Sequence, residues 1–345
     1  MKYKKSNCAV IFGGNGFVGA FFAEFLALSN QFSKIYILDF EDIKDKDSSY
    51  RKNQLTNLKN VEFIKCDVRN LIENFYPVED VNLIANFAAI HREPGHQNHE
   101  YYETNLLGAE NICKWASVVD CKKIIFTSSI SPYGPSEKEK SESSIPNPVT
   151  AYGGSKLAAE KIHQEWQALN VSERRLIIVR PGVVFGPGEG GNVSRLIKAV
   201  LNRYFFYMGN KNTRKAGIYI KELCNAMWWA MDNKEINKEN IVLFNMSMNP
   251  GPTIEEYVNS ISKISNIKVF VPSIPYKLLL LTAYLIDIFA KPIRPGHPFS
   301  PVRIKKLVNS NNINPGYLLS KNYKYLYNLD EAFADWKKDC PEEWR

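Results

Sequence analysis

The sequence predicts a doubly wound parallel α/β sheet followed by a smaller C-terminal substrate lobe. Three observations carry this reading. Six short runs rich in Val, Ile and Phe recur through the first half of the chain, helical stretches separate them, and a glycine-spaced loop sits at the first strand-to-helix junction. The 345 residues suit one large domain or two coupled ones. A hydrophobic content of 45% is ordinary for a globular protein and sufficient for a full core.

The first run, CAVIF (8–12), is continuously apolar, as a strand buried on both faces is. GGNGFVG (13–19) follows it, and a helix is expected over 17–29. Further strands are expected at KIYILDF (34–40), VEFIKCD (61–67), VNLIANF (81–87), KKIIFTS (122–128) and RLIIVRP (175–181), with helices at 101–119 and 151–169. Residues 41–60 are polar and are expected to be a mobile surface stretch. After Pro181 the alternation loosens: GPGEGGN (186–192) reads as a loop, and 192–204, 251–265 and 276–290 read as helices. The expected division is therefore 1–181 and 182–345, with some later segments returning to the first domain.

The formal charge of +8 fits a solvated basic surface, or attraction to phosphates or an anionic membrane face. No basic arm interleaved with aromatics is present, so nucleic acid is not an expected partner. The six cysteines form no CxxC pair, which argues against a zinc site or a disulfide framework and for reduced thiols in the cytoplasm. The apolar run in MKYKKSNCAVIFGG is too short for a signal peptide and leads straight into the glycines. The most apolar stretch is PYKLLLLTAYLIDIFAKPIRP (275–295), whose core of 13 residues, Leu278 to Ala290, contains Asp287 and is too short to span a bilayer. It reads as a buried helix of the second lobe or as a helix lying on the inner membrane face. In the second case contact runs through 275–306, with Lys277, Lys291, Arg294, Arg303, Lys305 and Lys306 meeting anionic lipid.

The glycine loop has a strand before it and a helix after it, the context of a Rossmann dinucleotide site. Gly13 permits the tight turn, Gly16 lets backbone approach a pyrophosphate, and Gly19 lets the helix pack close to the sheet. The helix N-terminus offers free N–H groups and a positive dipole end to the anion. Asp39 stands 20 residues beyond Gly19, at the end of the second strand. A carboxylate there bonds ribose hydroxyls and repels a 2′-phosphate, so NAD is the expected cofactor.

A second constellation lies in AYGGSKLAAEK (151–161). Tyr152 and Lys156 are four residues apart at a helix start and share a face. A tyrosine of ordinary pKa near 10 is a poor base at neutral pH, and a nearby ammonium favours its phenolate. The pair can then move a proton to or from a sugar hydroxyl. FTSSISPYG (126–134) leaves the fifth strand just upstream and supplies a serine to the same oxygen. The run HREPGHQNH contains His91, His96 and His99, but no carboxylate or cysteine completes a metal set, so a polar substrate loop is expected and no metal.

Together these motifs resemble the extended short-chain dehydrogenases/reductases, the NAD-dependent sugar epimerase/dehydratase family, over most of the chain. The resemblance implies cofactor contacts from Gly13, Gly16, Phe17, Val18 and Asp39, from Asp67 and Val68 in CDVR, and from Phe87, Ala88 and Ala89 in NFAAI. It adds Asn105 in TNLLGAENI, and Pro181 and Val183 in RPGVVFGPG, to Tyr152 and Lys156. It places the catalytic serine at Ser129, not Ser128. The family's 4,6-dehydratases carry an acid and a base directly after that position, where this chain has Ile130 and Ser131, so epimerisation or ketone reduction remains. A non-catalytic NAD-binding module is a third alternative. AAIHRE, RPGVVFGPGEGGN, KAGIYIKEL and SPVRIKKL resemble polysaccharide-biosynthesis members acting on diphosphate-linked sugars. Implied substrate contacts are His91, Arg92, Ser129, Asn192, Arg214 and Lys215. Lys215 stands where the family often has a diphosphate-binding Arg and lacks its bidentate fork; Val183 stands where many epimerases have a substrate-binding Asn. By the same resemblance, helices 101–119 and 151–169 pair in a homodimer.

Overall fold

The structure is a computed structural model that describes residues 6–42, 49–93, 95–233, 238–290 and 310–345. In chain order the first half runs β1 (Asn7–Phe12), α1 (Phe17–Ser29), β2 (Lys34–Asp39), α2 (Ser49–Thr56), β3 (Val61–Lys65), β4 (Asp80–Asn86), α3 (Asn98–Val118), β5 (Lys123–Thr127), β6 (Ser136–Lys140), α4 (Ala151–Ala168) and β7 (Arg175–Pro181). Next come β8 (Val183–Phe185), α5 (Asn192–Leu201), β9 (Tyr207–Met208), β10 (Gly217–Tyr219), α6 (Ile220–Asp232) and β11 (Ile241–Met246). The chain continues through α7 (Ile254–Ser265), β12 (Ser273–Ile274), α8 (Tyr276–Ala290), β13 (Asn311–Ile313) and the helices Gly316–Ser320 and Leu329–Asp339.

The six expected strands form one parallel sheet, joined by a seventh, β11, in the order β11-β7-β5-β4-β1-β2-β3. β11 escaped the sequence reading because IVLFNM lies beyond the region of regular alternation; it pairs with β7 from Ile241↔Leu176 to Met246↔Pro181. The strand order reverses between β1 and β4, and the crevice outside the strand ends at such a switch point is where a doubly wound sheet takes its ligand.

Successive residues of β1 enter opposite cores. Ala9 and Ile11 pack with α1 and α6, whereas Cys8, Val10 and Phe12 pack with Trp115, Ile112 and Trp166 of α3 and α4. This two-sided burial is what makes the strand sequences continuously apolar. The first cluster continues without a break into Phe185, Tyr219, Tyr257, Phe333 and Trp336. Three two-stranded parallel ribbons, β10–β8, β12–β9 and β13–β6, complete the strand pairing of the described residues.

The expectation of a mobile stretch over 41–60 is corrected for its described part. Residues 49–56 form α2, because Tyr50 and Leu55 give that polar run an apolar side: Tyr50 stacks on Phe21 of α1 and Leu55 is buried. Gln54 donates to Glu24 at 2.5 Å. Residues 43–48 lie outside the described residues. No described helix is long and apolar enough to cross a membrane.

Trp336 is fully buried and stacks on Phe185, so the C-terminal helix is tied into the cluster that covers the main sheet. Trp336→Ala is expected to cost about 3–5 kcal/mol and to shift one cooperative urea transition. A loss below about 1 kcal/mol, or two separated transitions, would contradict that shared core.

Candidate active site

Gly13 has a φ of 73°, and a Cβ there would meet the Ala88 nitrogen at 2.7 Å. Only glycine lets the loop lie this close to the end of β4. Both Gly13 N and Gly14 N donate to Leu38 O, at 2.8 and 3.2 Å, which fixes the loop to β2. A Cβ at Gly19 would meet Gly13 O at 2.2 Å, so α1 starts against the loop itself. α1 begins after Gly16 with no side-chain cap and no acid in its first turn, where Phe17 and Val18 lie. The positive helix end is thereby left for an anion.

Asp39 is buried at the end of β2; its carboxylate accepts from Asn15 N at 3.1 Å and Phe40 N at 2.9 Å. Among the described residues the buried Oδ1 of Asn15 has no hydrogen-bond partner. An uncapped helix start, a glycine cradle and an orphaned acceptor beside a carboxylate fit a dinucleotide. Arg51 of α2, which the sequence reading missed, donates to Asn15 O at 3.3 Å and is attracted by Asp39, adding positive charge to the same loop.

Of the other expected cofactor residues, Phe87, Ala88 and Ala89 follow β4, with Phe87 edge-on to Phe22 at 5.4 Å. Val68 packs against Gly108, and its carbonyl is held by Asn111 at 2.9 Å. The Asp67 carboxylate is gripped by Arg69 at 2.6 Å, which holds it below the usual carboxylate range. Asn105 is buried, and its amide is engaged within the protein: it bonds both backbone groups of Ile90, at 2.9 and 3.2 Å, and Ser155 at 2.9 Å. It locks the turn after β4 to α4 between Tyr152 and Lys156. Pro181 O accepts from Ile130 N at 3.2 Å, beside Ser129, and Val183 is half-buried in β8.

α4 brings the reactive pair to the same place. Thr150 caps it through Gly153 N at 3.1 Å. A Cβ at Gly153 would meet Ser131 O at 2.8 Å, and one at Gly154 the Tyr102 hydroxyl at 2.8 Å, so the two glycines seat the helix against the β5 exit and α3. Ser129 consequently stands close enough to Tyr152 to act on its phenol. Burial raises the Tyr152 pKa; Ser129 opposes that rise, while Glu93 and Tyr101 add to it. Ser129 donates to Ser131 Oγ at 3.1 Å, whereas Ser128 is turned to Glu160 at 2.5 Å. Tyr101, also missed, places its ring 6.2 Å from Tyr152 and donates to Arg92 O at 2.5 Å, which fixes the His91–Arg92 turn beside the tyrosine.

One turn on, the Lys156 ammonium lies 4.4 Å over the Phe126 ring, whose neighbour on stacking is His163 at 4.1 Å. Burial lowers Lys156 from 10.5 to about 7 and His163 from 6.5 to about 4. Glu160, a further turn along α4, opposes the loss of the lysine charge. Glu160 itself takes two bonds from Arg180, at 2.8 and 2.6 Å, and the guanidinium covers Tyr133 at 4.8 Å.

The expected substrate residues are more dispersed. His91 follows Ala89 and Ile90, and burial and Arg92 hold its pKa below the ordinary value. Asn192 is exposed at the start of α5 and accepts from Arg195 at 3.1 Å. Arg214 grips Gly251 O at 2.5 Å. Lys215 is half-buried, lowered by burial to about 8 with Glu137 opposing, and bridges to Asn311 of β13. His96 lies 3.6 Å from Glu100, and among the described residues no three metal-binding side chains converge.

Between a folded pKa of about 7 and the ordinary 10.5, Lys156 is protonated in the unfolded chain but not in the folded one. Folding is therefore favoured as pH rises through that window, and the full cost of burying the ammonium is present below about pH 7. Cofactor-free Lys156→Met is expected to be more stable than the parent near pH 6 and to lose that advantage progressively toward pH 10. A pH-independent difference in unfolding midpoint would refute this assignment.

A family model described as the NAD dependent epimerase/dehydratase family matches residues 9–244. The chain is 28% identical over 325 residues to the N-acetyl-alpha-D-glucosaminyl-diphospho-ditrans,octacis-undecaprenol 4-epimerase of Escherichia coli O157:H7, covering 94% of this chain and 92% of that one. It is 25% identical over 291 residues to a bifunctional UDP-glucose and UDP-xylose 4-epimerase of Pisum sativum, covering 75% and 82%. In fold it is similar to the UDP-Glc/GlcNAc 4-epimerase of Campylobacter jejuni, with a TM-score of 0.73 at 19% identity over 97% of this chain and 100% of that one. With the family model covering the glycine loop, the Ser129–Tyr152–Lys156 constellation and the sheet as far as the middle of β11, the chain belongs to the NAD dependent epimerase/dehydratase family of enzymes, whose cofactor is NAD.

Proposed function

We propose that the protein is a 4-epimerase of a hexose or N-acetylhexosamine carried on a diphosphate, working in surface polysaccharide assembly in the cytoplasm. The observation that carries the proposal is Tyr152, placed beside Ser129 and one helical turn before Lys156, with Ile130 and Ser131 where a dehydratase has its acid and base. The relatives support the reading through their names: one acts on N-acetylglucosamine on diphospho-undecaprenol, another on UDP-linked glucose and N-acetylglucosamine.

NAD, when bound, would supply the hydride acceptor and donor for C4. Gly13, Gly16 and the first turn of α1 would hold its pyrophosphate, Asp39 a ribose, and Lys156 the nicotinamide ribose. Tyr152 takes the proton of the C4 hydroxyl and later gives it back, while Ser129 orients that oxygen. Burial acts on both partners, raising Tyr152 and lowering Lys156, so burial by itself does not favour the phenolate. Lys215 and Arg214 meet the diphosphate; a cation already stripped of water gains more from an anion than a solvated one does. The outward face of α3, where Tyr102 and Leu107 are exposed, forms the homodimer contact together with α4.

Hydride leaves and returns, so no reductant is consumed. The purified protein, given UDP-GlcNAc or undecaprenyl-diphosphate-GlcNAc without added NADH, is expected to form the C4 epimer of at least one. Tyr152→Phe is expected to lower that rate about 10²-fold or more. No epimer from either, with turnover of a 4-keto sugar only when NADH is added, would make the enzyme a ketoreductase instead.

A further inference from the structure

α8 packs through Leu279 and Ala283 onto Phe206, Met208 and Ile274 of the β9–β12 ribbon. Those two positions form one stripe. Around the rest of the helix Leu278, Leu281, Tyr284, Leu285 and Ile286 are 40–57% exposed. The segments leading into the ribbon also carry exposed aromatic rings. Its strands pair Tyr207↔Ser273 and Met208↔Ile274, and three residues before each pair stand Tyr204, 64% exposed, and Phe270, 89% exposed. Contiguous exposed apolar area of this kind marks an interaction site.

Charge identifies the partner. Between Ile264 and Ser320 the sequence has seven Lys and Arg and one acid, Asp287; the rest of the chain has 37 basic and 35 acidic residues. Six of the eight excess positive charges therefore belong to this one segment of sequence; Lys291, Arg294, Arg303, Lys305 and Lys306, expected above at the lipid, lie outside the described residues. Lys268 and Lys277 are exposed within it, and Arg203 is exposed beside Tyr204. Lys277 shares a stripe with Leu281 and Tyr284, at four and seven residues' distance. A second copy docked here by twofold symmetry would set lysines against lysines. An anionic bilayer takes the apolar residues below its headgroups and the cations at them.

We propose that the outer face of α8, with Phe270, Tyr204, Lys268, Lys277 and Arg203, is a docking surface for an anionic bilayer. The helix lies in the plane of the interface and does not span it. The proposal is independent of which sugar is epimerised, and its test uses no substrate.

The test is co-sedimentation of the full chain with vesicles of phosphatidylcholine alone or with about a quarter phosphatidylglycerol. Binding to the anionic vesicles is expected to exceed binding to neutral ones about tenfold or more, and to fall as salt rises. The pair Lys268→Glu and Lys277→Glu is expected to lower anionic binding about tenfold or more. The pair Leu281→Glu and Leu285→Glu is expected to abolish it while leaving the far-ultraviolet dichroism and unfolding midpoint unchanged. Absence of binding by the parent protein at low salt overturns the proposal. So does undiminished binding by a folded Leu281→Glu/Leu285→Glu protein, or a change in that protein's sedimenting mass without loss of binding, which would make the face an interface between copies. Should the leucine variant fail to fold, the lysine pair, on exposed side chains, decides the matter alone.

Discussion

The chemistry of this protein depends on how closely α4 lies against the carboxyl ends of β5 and β7. At one end the approach is backbone on backbone, since Gly153 leaves no room for a methyl group before Ser131 O. At the other it is ionic: Glu160 receives both arms of Arg180 from β7 and the hydroxyl of Ser128 from the β5 exit. The residues beside and between these anchors are positioned by them. Tyr152 lies next to Ser129, Ser155 is held by Asn105, and Lys156 lies on Phe126. A buried bidentate pair contributes little net stability over an apolar substitute, yet losing one partner leaves a charge stranded at about 3–5 kcal/mol. Such a contact fixes geometry more than it adds stability.

The same helix shows where stability is given up. Lys156 and Lys215 are both held well below the ordinary lysine value by loss of water. Each is a standing cost to the folded chain, offset in part by Glu160 and Glu137. In the proposed mechanism both costs have a use: Lys156 would hold the nicotinamide ribose beside the tyrosine, and Lys215, on the β10 approach beside β13, would meet the diphosphate. The glycine loop follows the same logic with partial charges, an uncapped helix end and the unpartnered Asn15 oxygen standing where a phosphate and ribose would satisfy them.

The six strands of the first half were legible because two-sided burial writes itself as unbroken Val, Ile and Phe, and the glycine loop and Tyr152–Lys156 spacing were legible because each is local. What stayed hidden is long-range. β11 is an ordinary short apolar run until β7 gives it a partner. α2 has too polar a composition to announce a helix, and Arg51 gains its place only because Tyr50 and Leu55 are buried elsewhere. Tyr101 belongs to an unremarkable helix face, and nothing in its neighbours tells that its hydroxyl will hold the Arg92 carbonyl. Glu93, whose charge bears on Tyr152, sits in a loop whose course no spacing rule determines. Asn105 was found for its motif, but its three bonds within the protein could be read only from the fold.

α8 shows the opposite limit. Its sequence is apolar on nearly every side, and composition alone cannot divide core from surface in such a helix. The division is made by what stands opposite. The β9–β12 ribbon has two residues in each strand and can cover only the stripe of Leu279 and Ala283. The remaining leucines owe nothing to the packing of this ribbon, and the exposed Lys268 and Lys277 belong neither to the sheet nor to the reactive pair. Leucines left uncovered with cations in the same stretch of chain are what the proposed contact with an anionic bilayer would use, the leucines below the headgroups and the lysines at them.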